Sequence, residues 1–254
     1  IICNFETDFN ITNIGRYITL SEDKILSVCY VEQNENGDPF KKVRTLIPEV
    51  KKRKNKRKNK NTRKTFYNQT TIQVRPEKEK RPLNMKIFKN GSVHMTGCKS
   101  ISDCINSLNN LCIEINKVKA IIDKNDISNI IKKPFANDRT KVTIDKMKNL
   151  KICMINSGFK IGFNINRERL YKIISDDNIE CKFDLDNHAC VDIKYNFKDI
   201  KTVSIFVFEK GSIIITGANN SAHILAAYKF ITKKLYENYH EIVSIETSIT
   251  HKNI

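Results

Sequence analysis

Phe88 to Gly97 reads FKNGSVHMTG and Phe208 to Gly217 reads FEKGSIIITG, and each block runs into a helix-like segment. Two copies of one pattern make an internal repeat. A second pair lies upstream: FNITNIGRY (Phe9 to Tyr17) answers FNINRERLY (Phe163 to Tyr171), sharing the Phe, Asn, Ile and final Tyr. Matched blocks in the same order argue for duplication. Phe9 to Gly97 spans about 34 residues more than Phe163 to Gly217. The first copy therefore carries an insertion. Composition locates it at KKRKNKRKNKNTRK, in which Lys51, Lys52, Arg53, Lys54, Lys56, Arg57, Lys58, Lys60, Arg63 and Lys64 are basic.

The 254 residues suffice for one substantial core or two small ones. The formal charge of +17 falls to about +7 without the basic run, so the excess is both local and general. A polyanion is the natural partner, and nucleic acid and anionic membranes both attract such a run. No stretch approaches the roughly 18 apolar residues of a membrane span, which weakens the membrane reading. The chain starts at Ile1 without Met, in an apolar strand, so residues ahead of it, including a targeting segment, stay open. The eight cysteines form no CxxC pair and sit mostly among apolar neighbours, the pattern of buried free thiols in a reducing, intracellular setting. His94 near Cys98 is the one hint of a zinc ligand pair, a weak one, and neither metal nor cofactor is expected.

Strands are expected at residues 1–5, 25–31, 66–74, 83–88 and 92–95 in the first repeat, with a short helix at 10–20 and a turn at Asn90–Gly91. The like-charged run 51–64 has almost nothing apolar to offset its ordering entropy and is expected to be disordered. Ile101, Cys104, Ile105, Leu108, Leu111, Cys112 and Ile115 fall at helical spacing and predict one buried helix face. The second repeat retraces the path through strands at 152–156, 179–183, 189–195, 203–208 and 212–216 and a short helix at 166–174. A closing helix at 221–239 has Ile224, Ala227, Tyr228, Ile231 and Leu235 inward. Each repeat then reads strand, helix, four strands, helix. The expected class is α+β, an antiparallel sheet covered by helices on one face. The first repeat fills 1–118, with its insertion at about 35–68. A connector occupies 119–150, and the second repeat fills 151–254.

A hairpin closing in Thr-Gly before a long helix, twice in one chain, resembles the TATA-box-binding protein family, and most of all the divergent versions encoded by large DNA viruses. The resemblance is concentrated in residues 88–99 and 208–220. It implies a saddle-shaped curved sheet over the minor groove of duplex DNA, with helices on the convex face and phenylalanines wedged between base steps. Phe88 and Phe208 then occupy one wedge position per repeat. Thr96 and Thr216 face the groove floor, with His94 and Ile214 beside them, and Lys194 meets a backbone phosphate. Asn156 stands in for a groove-reading asparagine whose place aligns with Met154. Tyr67, or Phe66, and His188 lie where the partner wedges would be, and Ser92 and Ser212 replace lysines. The implied partners are AT-rich promoter DNA and general transcription factors or a viral RNA polymerase. A viral version would work in the host cytoplasm or virion, and otherwise in the nucleus.

Simpler readings remain beside these. Phe88 and Phe208 could be core residues, Thr96 and Thr216 could cap the following helices, and His188 could be a solvated loop residue. Asp184 and Asp186 read as turn residues. The basic run could be a nuclear-import signal or a tether. Five scattered histidines and the lack of any GxSxG, HExxH or phosphate-loop motif speak against an enzyme. The alternative to a transcription initiation factor is a protein-interaction scaffold that kept the fold and binds DNA only nonspecifically.

Overall fold

The structure, a computed structural model, describes residues 1–48, 67–123, 127–184 and 189–244. The basic run 51–64, Phe66, Asp186 and His188 lie outside them. The chain divides into two compact units, Ile1–Lys151 and Ile152–Ile254. Both are antiparallel sheets with helices on one face, the α+β class expected from the pattern.

In the first unit β1 (Ile2–Asn4), α1 (Ile11–Tyr17), β2 (Ile25–Gln33), β3 (Pro39–Thr45), β4 (Gln69–Val74), β5 (Leu83–Phe88), β6 (Ser92–Thr96) and α2 (Ile101–Ile115) are followed by the hairpin β7 (Lys119–Ile122) and β8 (Ile130–Lys133), and by β9 (Lys148–Lys151). Seven strands join in the order β3-β2-β4-β5-β6-β1-β9. Strict alternation gives β4 and β5 one buried and one open face. Ile72, Val74, Met85, Ile87, Val93 and Met95 point inward against Ile14 of α1, Ile18 just after it, and Leu108, Leu111 and Ile115 of α2. Each such side chain contributes roughly 1.5–3 kcal/mol by burial.

In the second unit β10 (Ile155–Lys160), α3 (Arg167–Asp176), β11 (Cys181–Lys182), β12 (Cys190–Phe197), β13 (Lys201–Phe208), β14 (Ser212–Ala218), α4 (Ser221–Glu237) and α5 (Tyr239–Ile242) build a sheet in the order β10-β14-β13-β12-β11. Val191, Ile193, Val203, Ile205, Val207, Ile213 and Ile215 form its inner face, packed on Leu170, Ile174, Ala227, Ile231 and Leu235.

The repeat is real, and its upstream register differs from the sequence match. Phe9 and Ile165, not Phe9 and Phe163, occupy equivalent places. The Phe9 amide donates to the Lys89 carbonyl at 2.8 Å and the Ile165 amide to that of Glu209 at 2.7 Å. Asn10 and Asn166 then cap α1 and α3, accepting from the Asn13 and Arg169 amides. The shared Phe-Asn-Ile letters mislead by two residues because Asn recurs at both 164 and 166. Phe9 also bridges Ala136 as Ile165 bridges Val243, so the segment after α2 closes the first repeat as the segment after α4 closes the second.

Several inner-face assignments shift. Ile101 is exposed and Ile105 half-buried, while Asp103, Ser107 and Glu114 are buried beside the apolar residues of α2, so its buried face is turned from the one the apolar spacing marks. In α4 Tyr228 is exposed and His223 is buried instead, against the Phe197 ring. Of the eight cysteines only Cys3, Cys104 and Cys112 are buried, and Cys153 is exposed. Burial pushes the Cys3 and Cys112 thiols up to about 12. The insertion is not all basic tail, since its residues 39–45 form the edge strand β3.

Candidate nucleic-acid interface

The faces of the two sheets that carry no helix hold most of the sequence-nominated residues. In the first sheet Phe88, His94 and Thr96 stand there, outside the buried core. Phe88 lies against the His94 ring with centroids 4.6 Å apart. Pairing sets their neighbours: Ile2, His94, Lys86, Thr71, Cys29 and Val43 form one row across six strands, and Thr96, Asn84, Gln73, Ser27 and Thr45 the next. The second row is stitched by side chains. Ser27 Oγ donates to Gln73 Oε1 at 2.9 Å, and Gln73 Nε2 donates to Asn84 Oδ1 at 3.3 Å. Partial desolvation, with Lys86 adding to it, lowers the His94 imidazole below its ordinary value of 6.5.

In the second sheet Phe206 and Phe208 are both on the open face, with Ile214 and Thr216 alongside. Ile214, Phe206 and Asp192 form one row, and Thr216, Ser204 and Lys194 the next. Thr216 Oγ1 donates to Asn156 Oδ1 at 2.6 Å, so Asn156 and Thr216 act as one polar group. Thr216 also approaches Met154 Sδ at 3.6 Å. Lys194 is engaged within the sheet: its Nζ donates to both Asp192 oxygens and to Ser204 Oγ, all at 2.9 Å.

The core reading of Phe88 and Phe208 fails, because the described core phenylalanines are Phe5, Phe9 and Phe135. The capping reading of Thr96 and Thr216 fails as well. Ser100 and Asn220 cap α2 and α4, accepting from the Asp103 and His223 amides. Tyr67 is exposed in the turn before β4, two residues ahead of the Gln69 that pairs with Phe88. His188 stands two residues ahead of Cys190, which pairs with Phe208, so the two positions correspond in sequence.

Sequence reasoning missed the amide and hydroxyl row Ser27, Gln73 and Asn84, and Lys86 at the centre. The alternation of β4, with Gln69, Thr71 and Gln73 at every second place, carried that signal. It also missed Asp192, whose partner was visible as a charge two residues along one strand. Among the described strand residues, the open face of the first sheet has no Asp or Glu, and that of the second has only Asp192, neutralised by Lys194. Such a surface offers aromatic rings, amides, hydroxyls and lysines. It suits a negatively charged partner that also presents flat apolar surface. Among the described residues no cluster of His, Cys, Asp and Glu could hold a metal ion, and no helix is long and apolar enough to cross a membrane.

No family model matches the chain. A protein of Acanthamoeba polyphaga mimivirus named "TATA-box-binding protein-like" is 39% identical over 254 residues, covering 94% of this chain. The chain spans 64% of that relative's length. Methanococcus jannaschii TBP, a solved structure, gives a TM-score of 0.41 at 15% identity over 85% of this chain and 97% of that one, an overlay too loose to carry an argument.

Proposed function

We propose that this chain, a homologue of a mimivirus TATA-box-binding protein-like protein, is a transcription initiation factor that lays its helix-free sheet faces in the minor groove of duplex DNA. The observation that carries the reading is the chemistry of those faces: Phe88, Phe206 and Phe208 stand among amides, hydroxyls and lysines, and the single carboxylate among the described strand residues there is neutralised. Minor-groove proteins need these groups, because the groove offers acceptors on its floor, phosphates on its walls and base steps that apolar side chains can part. Binding rather than catalysis is the activity proposed. On the helix side Ile101, Ile113, Leu225, Tyr228 and Tyr236 are exposed apolar residues, which supports docking of transcription machinery there.

The test is affinity for AT-rich against GC-rich duplexes at near-physiological salt. The factor should favour the AT-rich duplex by at least about tenfold, or ~1.4 kcal/mol. Equal affinity points to the scaffold reading, which the internal engagement of Lys194 favours, since that lysine holds protein atoms where a phosphate contact is expected. A Phe88→Ala, Phe208→Ala double variant should keep its melting temperature and lose DNA bending. A collapse of the fold would return both rings to a structural role.

A further inference from the structure

Among the described residues β3 has no counterpart in the second repeat. Matching Phe88 to Phe208 and Thr96 to Thr216 makes β6, β5, β4 and β2 correspond to β14, β13, β12 and β11. The second sheet ends at the two-residue β11, whereas the first continues by one seven-residue strand. β3 pairs with β2 over seven positions, with Lys41, Val43 and Thr45 opposite Val31, Cys29 and Ser27. Those partners lie on the open face, so Lys41, Val43 and Thr45 extend the rows that already hold His94 and Thr96.

The alternate residues fasten the strand from behind. Arg44 donates through Nη1 to the Gly15 carbonyl at 3.0 Å and through Nη2 to that of Ile18 at 2.9 Å, gripping the C-terminal end of α1. Lys42 Nζ donates to Glu32 Oε2 at 3.1 Å, and Glu32 Oε1 accepts from Arg16 at 2.8 Å. The two basic side chains on the helix side thus have protein partners. Lys41 on the open face is exposed and has none among the described residues. Exposed Val43 sits beside it, and among the described strand residues the open face of this sheet has no carboxylate.

We infer that β3 is an added strand of the nucleic-acid interface, in which Lys41 holds a DNA backbone phosphate beyond the limit of the repeat's own sheet and Val43 and Thr45 face the adjoining sugars. The strand widens the surface of the first repeat by about 4.8 Å, the spacing between neighbouring strands. The inference rests on the DNA-binding reading. A lysine on an edge strand can also serve only to block edge-to-edge association.

The test compares Lys41→Gln with Lys42→Gln in the full chain, two neighbours that change the net charge equally but face opposite ways. Affinity for an AT-rich duplex is measured across about 50–300 mM NaCl. Without its phosphate, Lys41→Gln should show a slope of log K against log salt lower by about 0.9, and Lys42→Gln should match the parent. Val43→Lys should steepen the slope by the same amount, a gain that misfolding cannot imitate. Equal effects of Lys41→Gln and Lys42→Gln, an unchanged Val43→Lys, or aggregation of Lys41→Gln with unaltered DNA affinity overturns the inference alone. A parent protein that binds no duplex overturns the DNA-binding reading with it.

Discussion

Lys194 and His94 show how neighbours set the charge that an open-face residue can offer. The Lys194 ammonium is shared among three oxygens, so its attraction for a phosphate is offset by the Asp192 carboxylate on the same pleat. Asp192→Asn removes that competitor. Affinity for duplex DNA should rise severalfold, read by fluorescence anisotropy at fixed salt, and an unchanged or weaker affinity would remove Lys194 from the interface. The His94 imidazole, exposed on the open face, is lowered by partial desolvation, with Lys86 adding to it. Its lowered folded value means that the unfolded chain takes the proton more readily. The stability contributed above pH 6.5 is therefore lost as pH falls below it. DNA has the opposite effect, because phosphates favour the imidazolium. If His94 faces the groove, affinity should increase from pH 7.5 to about 5.5 while stability falls, and His94→Gln should flatten the affinity profile. The sequence nominated both residues, yet the Asp192 partner and the lowered imidazole depend on which atoms the pleat and the packing bring together.

At the scale of elements, the two hairpin turns do equivalent work. Gly91 has φ +83° and Gly211 φ +72°, a region that side chains rarely enter. Each backs onto the loop after the first strand of its repeat: a Cβ on Gly91 would stand 2.5 Å from the Thr7 carbonyl oxygen, and one on Gly211 2.5 Å from that of Phe163. Backbone cannot yield as a side-chain tip does. Gly91→Ala and Gly211→Ala should each cost more than about 1 kcal/mol in chemical denaturation, and near-neutral results would contradict the turn geometry. These turns, the alternating strands and α2 were legible because each rests on short-range rules of glycine freedom and hydrophobic period. The upstream repeat register was not. Asn10 and Asn166 are equivalent caps, but only hydrogen bonds to residues some 40 to 80 positions downstream distinguish Asn166 from Asn164 as the partner of Asn10. Nor was β3 legible, since PFKKVRT alternates poorly and becomes a strand only beside β2.

For the molecule as a whole, charge is the property that acts over the longest range. The run at residues 51–64 holds ten of the chain's 45 basic residues, and it follows β3, which is fastened to the first sheet. Deleting residues 51–64 should flatten the salt dependence of DNA affinity by several phosphates' worth, with a slope change of about 0.9 for each phosphate no longer neutralised. The preference between AT-rich and GC-rich duplexes should persist. An unaltered slope would assign the run another task, such as nuclear import or protein binding.

By itself the sequence determined that the chain is a duplication, that each copy is an antiparallel α+β unit, and that Phe88, Thr96, Phe208 and Thr216 are paired positions. Hairpin turns, strand alternation and helical period are local, so repeated letters expose them. Only the tertiary structure decided that both phenylalanines face away from the core, that Ser100 and Asn220 rather than the threonines cap the helices, that Asp192 neutralises Lys194, and that part of the insertion is a strand of the sheet. Each of these depends on which of two faces a residue takes, or on a partner from another segment. A face is assigned only when helices cover one side of a sheet and leave the other open.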